Sequence, residues 1–205
     1  MTKQLAPVSG IILAAGSASR MGRDKLMLPF RGKAILQHVI DSARACGLEE
    51  VIVVLPENSE AKDELNLQGC RLVRNGQPDL GQAASLALGL RQASGTNKGA
   101  MVLPGDLPLI TPETLDHLLW NFTQEVRAWI APVHEGLIGN PLIIPCGYYE
   151  KVFELTGDAG PRDLLSLPQV SVRQVEAREL GPFVDIDTSK DYDLLLQRYE
   201  KQPWR

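Results

Sequence analysis

Several features are missing from this chain of 205 residues, and each absence narrows the range of functions that the protein could have. It has no apolar stretch of membrane-spanning length, and its start, MTKQLAPVSG, lacks the apolar core of a secretory signal. We therefore expect a cytoplasmic protein without a membrane partner. The three cysteines, Cys46, Cys70 and Cys146, lie far apart and follow no ligand spacing, so neither a disulfide framework nor a zinc site is expected.

A basic surface is also missing. The formal net charge is -4 at pH 7, which argues against a general affinity for nucleic acid. The few aromatic residues are scattered and form no stacking platform for single strands. No internal repeat, low-complexity segment or linker divides the chain. We expect one domain over residues 1–205, with flexible tails at residues 1–7 and 200–205.

Apolar runs of strand length alternate with amphipathic stretches of helix length in the first two thirds of the chain. The predicted strands cover residues 8–13, 51–55, 71–74 and 100–103, and the predicted helices cover residues 35–46, 82–92 and 112–122. Short buried strands joined by crossover helices predict a three-layer α/β/α fold with a mostly parallel sheet. In such sheets, ligands bind outside the carboxyl ends of the strands.

The last third is less regular. Its pattern predicts strands over residues 128–132, 142–144, 170–175 and 183–186, and helices around residues 148–155, 161–166 and 189–199. Three polar clusters follow predicted strands and should meet at one edge of the sheet: the loop after residue 13, residues 104–108 and residues 185–188.

The loop after the first strand reads LAAGSASRMGRDK over residues 13–25. Small residues let the backbone approach a ligand, and consecutive N–H groups form a cradle for an anion; they are Ala14, Ala15 and Gly16. Ser17 and Ser19 add donors, while Arg20 and Lys25 add positive charge. Neither the dinucleotide G-x-G-x-x-G pattern nor the P-loop is present. The combination predicts a triphosphate site; the alternative is an ordinary solvated turn.

Acidic residues follow two other predicted strands. Asp106, in MVLPGDLPLI, takes a position where a lone carboxylate can hold Mg²⁺ together with substrate phosphates. In FVDIDT, Asp185 and Asp187 would share one face of a strand, because side chains alternate with period two. The alternative is structural: Asp187 and Thr188 cap the final helix, and Asp106 begins a turn.

Six stretches together resemble a known family. They are LAAGSASRMGRDKLMLPFRGKAIL, NGQPDLGQAASLALGL, PGDLPLI, GNPLIIP, GDAGPRDLL and DIDTSKDYDLL. In this order they resemble the nucleotidyltransferases of the molybdenum cofactor, most closely the molybdenum cofactor cytidylyltransferases, over nearly the whole chain. The first motif is shared with many sugar and isoprenoid nucleotidyltransferases. The resemblance implies the Rossmann-like fold of the nucleotide-diphospho-sugar transferases.

The resemblance also implies roles for individual residues. The nucleotide cradle would consist of the backbone of Leu13, Ala14, Ala15 and Gly16 with Ser17. Arg20 and Lys25 would act on the phosphates, and Asp106 would be the main Mg²⁺ ligand, with Asp187 second and Asp185 beside it. The residues beside base and ribose would be Asn75, Gly81, Gln82 and Ser85. Ala15 stands where guanylyltransferase relatives tend to carry Gly, which favours CTP over GTP.

The acceptor side departs from the family in one position. The family usually reads Gly-His-Pro where this chain has Gly139, Asn140 and Pro141, and Asn cannot titrate near neutral pH. Arg162, in GDAGPRDLL, would also lie near the acceptor, although this stretch reads equally well as a turn and helix start. The loop with His134 is either a cover for the acceptor or an ordinary solvated loop.

The implied reaction transfers CMP from CTP to the phosphate of molybdenum-loaded molybdopterin and releases pyrophosphate, with Mg²⁺ as cofactor. A molybdenum hydroxylase would receive the product. This chemistry needs no nucleophilic side chain, so His38 and His117 are expected to be packing or surface residues. The alternatives are transfer from GTP, transfer to another phosphorylated acceptor such as a sugar phosphate or a phospholactate-like acid, and a non-catalytic chaperone that carries the cofactor.

Overall fold

An eight-stranded sheet forms the centre of the protein. The computed structural model describes residues 4–16, 24–59 and 61–199, with the backbone alone at Lys62. The strands are β1 (Val8–Leu13), β2 (Pro29–Phe30), β3 (Lys33–Ala34), β4 (Glu50–Pro56), β5 (Cys70–Asn75), β6 (Gly99–Pro104), β7 (Trp129–His134), β8 (Leu137–Ile138), β9 (Leu142–Pro145) and β10 (Val172–Glu176). Their order in the sheet is β10-β7-β9-β6-β1-β4-β5, with β8 paired to β7; β2 and β3 form a separate hairpin.

The direction of the strands brings the predicted loops to one edge. β5, β4, β1 and β6 are mutually parallel, and Leu13 at the end of β1 faces both Val54 and Pro104. β9 is antiparallel to both β6 and β7, so β7 again runs in the direction of β6, and β10 is parallel to β7. The strand ends Leu13, Asn75 and Pro104 therefore share one side of the sheet, which we call the carboxyl edge.

Helices cover both faces of the sheet. They are α1 (Ile35–Ala45), α2 (Ala61–Glu64), α3 (Gln82–Gln92), α4 (Pro112–Gln124), α5 (Tyr149–Phe153) and α6 (Ser189–Tyr199). Alternating side chains of β1 belong to two separate cores: Ile12 packs with residues of α1 and α4, and Ile11 packs with residues of α3 and α5. The predicted three-layer α/β/α fold with a mostly parallel sheet is confirmed.

The final helix docks on the β2–β3 hairpin. Ile186 and Leu195 are buried in a cluster with Phe30, and the Tyr192 hydroxyl donates a hydrogen bond of 2.6 Å to the carbonyl of Pro29. At the start of α6, the Asp191 carboxylate accepts hydrogen bonds from the backbone N–H and the hydroxyl of Thr188, at 2.8 and 2.7 Å. This capping fixes the segment that precedes the helix.

The predicted strand over residues 183–186 is wrong. A 3-10 helix over Gly181–Phe183 replaces its start, because Pro182 has no N–H for a ladder and suits the first turn of a helix. The Ile186 N–H instead donates to the carbonyl of Asp106 at 3.2 Å. The predicted helix around residues 161–166 is likewise a short 3-10 helix, Pro161–Leu164.

The segment before β1 contacts the helical layer. The Ala6 N–H donates to Thr123 Oγ1 at 2.9 Å, and Leu5 packs against the core that contains α1 and α4. These residues belong to the stretch expected to be a tail; residues 1–3 and 200–205 lie outside the described ranges. Across the described ranges, the helices are too short or too polar to cross a bilayer.

Candidate active site

The loop after β1 begins as a part of the sheet. The Ala14 N–H donates to the carbonyl of Val54 at 3.0 Å, and the carbonyl of Leu13 accepts from Gly105 N–H at 2.9 Å. Ala14 and Ala15 are buried, whereas Gly16 is exposed. The N–H of Ala14 is thus committed to the sheet, so only the N–H groups of Ala15 and Gly16 remain as candidate donors for the predicted cradle in the described part of this loop. Ser17, Ser19 and Arg20 lie outside the described residues.

Gly105 brings the loop after β6 against the loop after β1. A β-carbon at Gly105 would lie 3.1 Å from the carbonyl oxygen of Leu13 and 3.3 Å from the β-carbon of Ala14, which is closer than most side chains tolerate. Only glycine fits this close approach without displacing its neighbours. Since Asp106 is the next residue, the approach places Asp106 near the start of the loop after β1.

Lys25 joins the two carboxylates that the sequence singled out. It starts a 3-10 helix, Lys25–Met27, that the Asp24 side chain caps by accepting from Leu26 N–H at 3.0 Å. The Lys25 Nζ donates to Asp106 Oδ2 at 2.7 Å and to Asp187 Oδ1 at 2.9 Å. Burial alone would lower the pKa of Lys25, but the Asp106 and Asp187 carboxylates outweigh it, and the net pKa is raised.

Asp185 lies close to the same pair. Its pKa is raised, first because the surrounding protein removes part of its hydration and then because of the negative charges of Asp187 and Asp106. The bond from Ile186 N–H to the Asp106 carbonyl holds this segment beside the loop after β6. Three acidic residues from two distant parts of the sequence therefore share one electrostatic environment at the carboxyl edge.

The carboxylates fit a divalent cation that is shared with a substrate. Asp106 Oδ1 is buried and has no hydrogen-bond partner within the described part of the chain, so one lone-pair face of this carboxylate is unused. No three His, Cys, Asp or Glu side chains in the described ranges are grouped so that they could hold a metal by themselves. Mg²⁺ needs only one or two carboxylates when substrate phosphates supply further ligands.

The loop predicted to lie beside the nucleotide base and ribose contains a buried hydrogen bond. Asn75, at the end of β5, donates from Nδ2 to the Ser85 hydroxyl at 2.9 Å, and its Oδ1 accepts from Gln77 N–H at 2.8 Å. Both residues are buried. Because both polar atoms of the Asn75 side chain already have partners, this pair supports the loop between β5 and α3.

Gly81 is where another predicted motif meets this loop. Its φ is +87°, and a β-carbon there would lie 2.3 Å from the carbonyl atoms of Gly157. The carbonyl of Gly157 also accepts from Ala83 N–H at 3.1 Å, in the first turn of α3. Gly160 packs against the amide of Gln82. The motif GDAGPRDLL, with the exposed Arg162, thus lies against the start of α3.

The predicted acceptor segment adjoins the 3-10 helix Gly181–Phe183, which precedes the acidic residues Asp185 and Asp187. The Asn140 N–H donates to the carbonyl of Pro182 at 2.9 Å, and the Gly139 N–H donates to the carbonyl of Pro132 at 2.8 Å. The peptide bond between Asn140 and Pro141 is cis. This segment and the one that carries Asp185 therefore border the same part of the carboxyl edge.

Sequence reasoning did not single out Phe183, although it lies in this region. The ring of His134 packs against Phe183 with centroids 5.8 Å apart, and His134 Nδ1 is 3.6 Å from Glu176 Oε1. In contrast, His38 is buried, and its Nε2 lies 2.8 Å from the carbonyl of Phe30, which agrees with its expected packing role.

The fold and the loops at its carboxyl edge define an α/β protein of the nucleotidyltransferase class. A structure described as Rv0371C in complex with manganese, from Mycobacterium tuberculosis H37Rv, superposes with a TM-score of 0.81 at 25% identity, covering 94% of this chain and 99% of that one. A nucleotidyl transferase from Methanothermobacter thermautotroptrophicus (Mth528) gives a TM-score of 0.79 at 26% identity, with 92% and 95% covered.

The family follows from the sequence match. Residues 10–176 match the family described as the MobA-like NTP transferase domain, and the chain belongs to this family. It is 28% identical over 201 residues to the purine catabolism protein PucB of Bacillus subtilis (strain 168), covering 91% of this chain and 94% of PucB. It is 27% identical over 197 residues to the nicotine blue oxidoreductase of Paenarthrobacter nicotinovorans, covering 92% and 96%.

A third relative matches over a shorter part. The molybdenum cofactor guanylyltransferase of Xanthomonas euvesicatoria pv. vesicatoria (strain 85-10) is 32% identical over 115 residues, which is 55% of this chain and 54% of that protein.

Proposed function

We propose that this protein transfers CMP from CTP to the phosphate of molybdenum-loaded molybdopterin and releases pyrophosphate. The observation that carries the proposal is the position of the Lys25 ammonium between Asp106 and Asp187, beside the small-residue loop at the carboxyl edge. Membership of the MobA-like family and the relative named as a molybdenum cofactor guanylyltransferase support the nucleotidyl transfer and the acceptor. Ala15 supports CTP.

In the proposed reaction, an oxygen of the acceptor phosphate attacks the α-phosphorus of CTP. The new P–O bond forms while the bond from the α-phosphorus to its bridging oxygen breaks, and pyrophosphate leaves with the electron pair. A phosphate monoester loses its second proton near pH 6, so it attacks without a strong general base. The barrier is the approach of two anions, and positioning and electrostatics lower it.

The side chains divide this work between them. Lys25 and Arg20 neutralise the phosphates, and the N–H groups of Ala15 and Gly16 bind phosphate oxygens. Asp106 and Asp187, with Asp185 beside them, would hold Mg²⁺, which would supply positive charge to stabilise the leaving pyrophosphate.

Two loops would complete the substrate surface. The loop supported by Asn75 and Ser85, together with Gly81 and Gln82, borders the base and ribose. The acceptor lies along Gly139, Asn140 and Pro141, with Arg162 near its phosphate, and the product passes to a molybdenum hydroxylase.

Pyrophosphate release tests the proposal. The purified protein is supplied with Mg²⁺ and each of the four ribonucleoside triphosphates, with and without molybdenum-loaded molybdopterin. We expect release with CTP only when the pterin is present. Release with GTP would reassign the base, and the absence of pterin-dependent release with any nucleotide would refute the acceptor.

Variants connect that activity to the site. Asp106→Asn should lower the rate of release at least about 100-fold, because it removes a charge that organises the phosphates. Asp193→Asn is the matched control, since Asp193 is an exposed carboxylate on α6. Unchanged release by Asp106→Asn would remove this carboxylate from the mechanism. A non-catalytic carrier, in contrast, would release no pyrophosphate and would keep delivering cofactor after this substitution.

A further inference from the structure

The Lys25 ammonium occupies the space between two carboxylates that the proposed function assigns to a metal ion. Its Nζ lies 2.7 Å from Asp106 Oδ2 and 2.9 Å from Asp187 Oδ1, so it contacts one oxygen of each. A divalent cation bound to the same two oxygens would be placed against this positive charge, and the two would repel each other. Lys25 and a metal on these oxygens therefore exclude each other.

We propose that Lys25 is the counter-ion that holds Asp106 and Asp187 in the nucleotide-free protein, and that a divalent cation replaces it when a triphosphate takes over its ammonium group. This inference rests on the proposed function. It makes Lys25 a positioning residue before substrate binds and a phosphate ligand afterwards. It also couples the two ligands, because the cation binds tightly only after the nucleotide has drawn Lys25 away.

The strength of the contacts suits an exchange. The side chains of Lys25, Asp106 and Asp187 retain 27%, 17% and 52% of their exposure, so both ion pairs are partly solvated and individually weak. Lys25 leaves Asp106 Oδ1 buried and without a partner in the described chain, so it satisfies this carboxylate only in part. A divalent cation that contacts both oxygens of Asp106 would satisfy this carboxylate better.

The geometry of Lys25 also suits an exchange. Its backbone is held by the capped 3-10 helix, and its carbonyl accepts from Leu28 N–H at 3.3 Å. Its charge, however, sits at the end of four flexible methylene groups. The ammonium can therefore turn from the carboxylates to a phosphate while the helix stays in place.

A structural ion pair and an exchangeable counter-ion predict opposite effects of Lys25→Met. This variant keeps the unbranched shape and most of the length of the side chain and removes its charge. If Lys25 only holds the carboxylates together, its loss lets them separate and weakens metal binding. If it competes with the metal, its loss strengthens metal binding in the absence of nucleotide.

The test is a titration with Mn²⁺, in which electron paramagnetic resonance detects the free ion. It is run without nucleotide and with α,β-methylene CTP, which cannot release pyrophosphate. Without nucleotide, we expect Lys25→Met to bind Mn²⁺ roughly 2- to 30-fold more tightly than the wild type, the range that corresponds to two partly exposed ion pairs. The nucleotide should raise the affinity of the wild type and have a smaller effect in the variant.

Two further variants make the outcome decisive. Lys33→Met is the control, because Lys33 forms a comparable ion pair with Asp41, at 2.5 Å, in the hairpin and α1; it should bind Mn²⁺ like the wild type. Asp106→Asn should lose binding. Equal or weaker Mn²⁺ binding by Lys25→Met overturns the inference. If urea unfolding shows that Lys25→Met does not fold, the Lys25→Gln variant is measured in its place.

The experiment separates the two proposals. If the wild type binds Mn²⁺ with the CTP analogue and Asp106→Asn does not, the proposed metal site is supported. The result for Lys25→Met then decides whether Lys25 is an exchangeable counter-ion. If the wild type binds no Mn²⁺ even with the analogue, the proposed metal site and the counter-ion role both fail.

Discussion

Replacing Gly81 by Ala should destabilise the protein strongly, since two separate effects act at this position. Its φ of +87° and ψ of -173° lie in a region that is populated almost only by glycine. A residue with a β-carbon there costs about 1–3 kcal/mol of backbone strain. The added β-carbon would also lie 2.3 Å from the carbonyl of Gly157, which belongs to the rigid backbone. Overpacking of this kind costs about another 1–3 kcal/mol.

Together, the two effects predict that Gly81→Ala lowers the free energy of unfolding by about 2–6 kcal/mol. Gly69→Ala is the matched control: Gly69 also has positive φ, at +79°, but an added β-carbon would meet nothing within 4 Å. That change should cost only about 1–2 kcal/mol. Urea unfolding at 25 °C measures both. An equal loss in the two variants would refute the close packing of the Gly157 loop against α3.

Three further changes probe other parts of the structure. Asn75→Ala leaves the buried Ser85 hydroxyl without its partner and should lower the free energy of unfolding by about 1–3 kcal/mol in urea. Tyr192→Phe removes the hydrogen bond to the carbonyl of Pro29 and should cost about 0.5–1.5 kcal/mol, with faster hydrogen exchange in α6. Burial lowers the pKa of His38 from its ordinary value of 6.5. Below that pH the unfolded chain therefore binds a proton that the folded protein does not, and stability should fall from pH 7 to pH 5; His38→Gln should reduce this fall.

The Asn75→Ala result has a control within the chain. Asn121→Ala removes an amide that donates to the carbonyl of His117 on the outside of α4, and it should cost less than Asn75→Ala. An unchanged fall in stability in His38→Gln would show that burial of His38 does not cause the pH dependence.

Periodicity was sufficient for most elements of the fold. The predicted strand over residues 8–13 and the predicted helices over residues 82–92 and 189–199 agree with β1, α3 and α6. Periodicity carries no information about strand direction, so the antiparallel insertion of β9 between β6 and β7 could not be predicted. The alternation of Val184 and Ile186 with two aspartates resembles a strand, but Pro182 and the tether to Asp106 determine the backbone there.

The residue types of the candidate site could be predicted better than their partners. Loops that follow neighbouring parallel strands must lie close together, so the contact of Gly105, which precedes Asp106, with Leu13 and Ala14 follows from topology. The pairing of Lys25 with Asp187 spans 162 positions in the sequence, and no local pattern encodes it. The same holds for the use of Asn75 as a buried support, because its polarity alone would favour a surface role.

The late position of Asp187 in the sequence has a consequence for the order in which the candidate site is completed during synthesis. Lys25 and Asp106 are translated long before the segment that carries Asp187. This segment is held by the bond from Ile186 N–H to the Asp106 carbonyl and by the packing of Ile186 and Leu195 in the cluster with Phe30. A nascent chain that has already formed the central strands therefore still lacks its second carboxylate. Under the proposed function, the metal site gains its second carboxylate only after the segment before α6 has been synthesised, and a chain cut before this segment would lack that carboxylate.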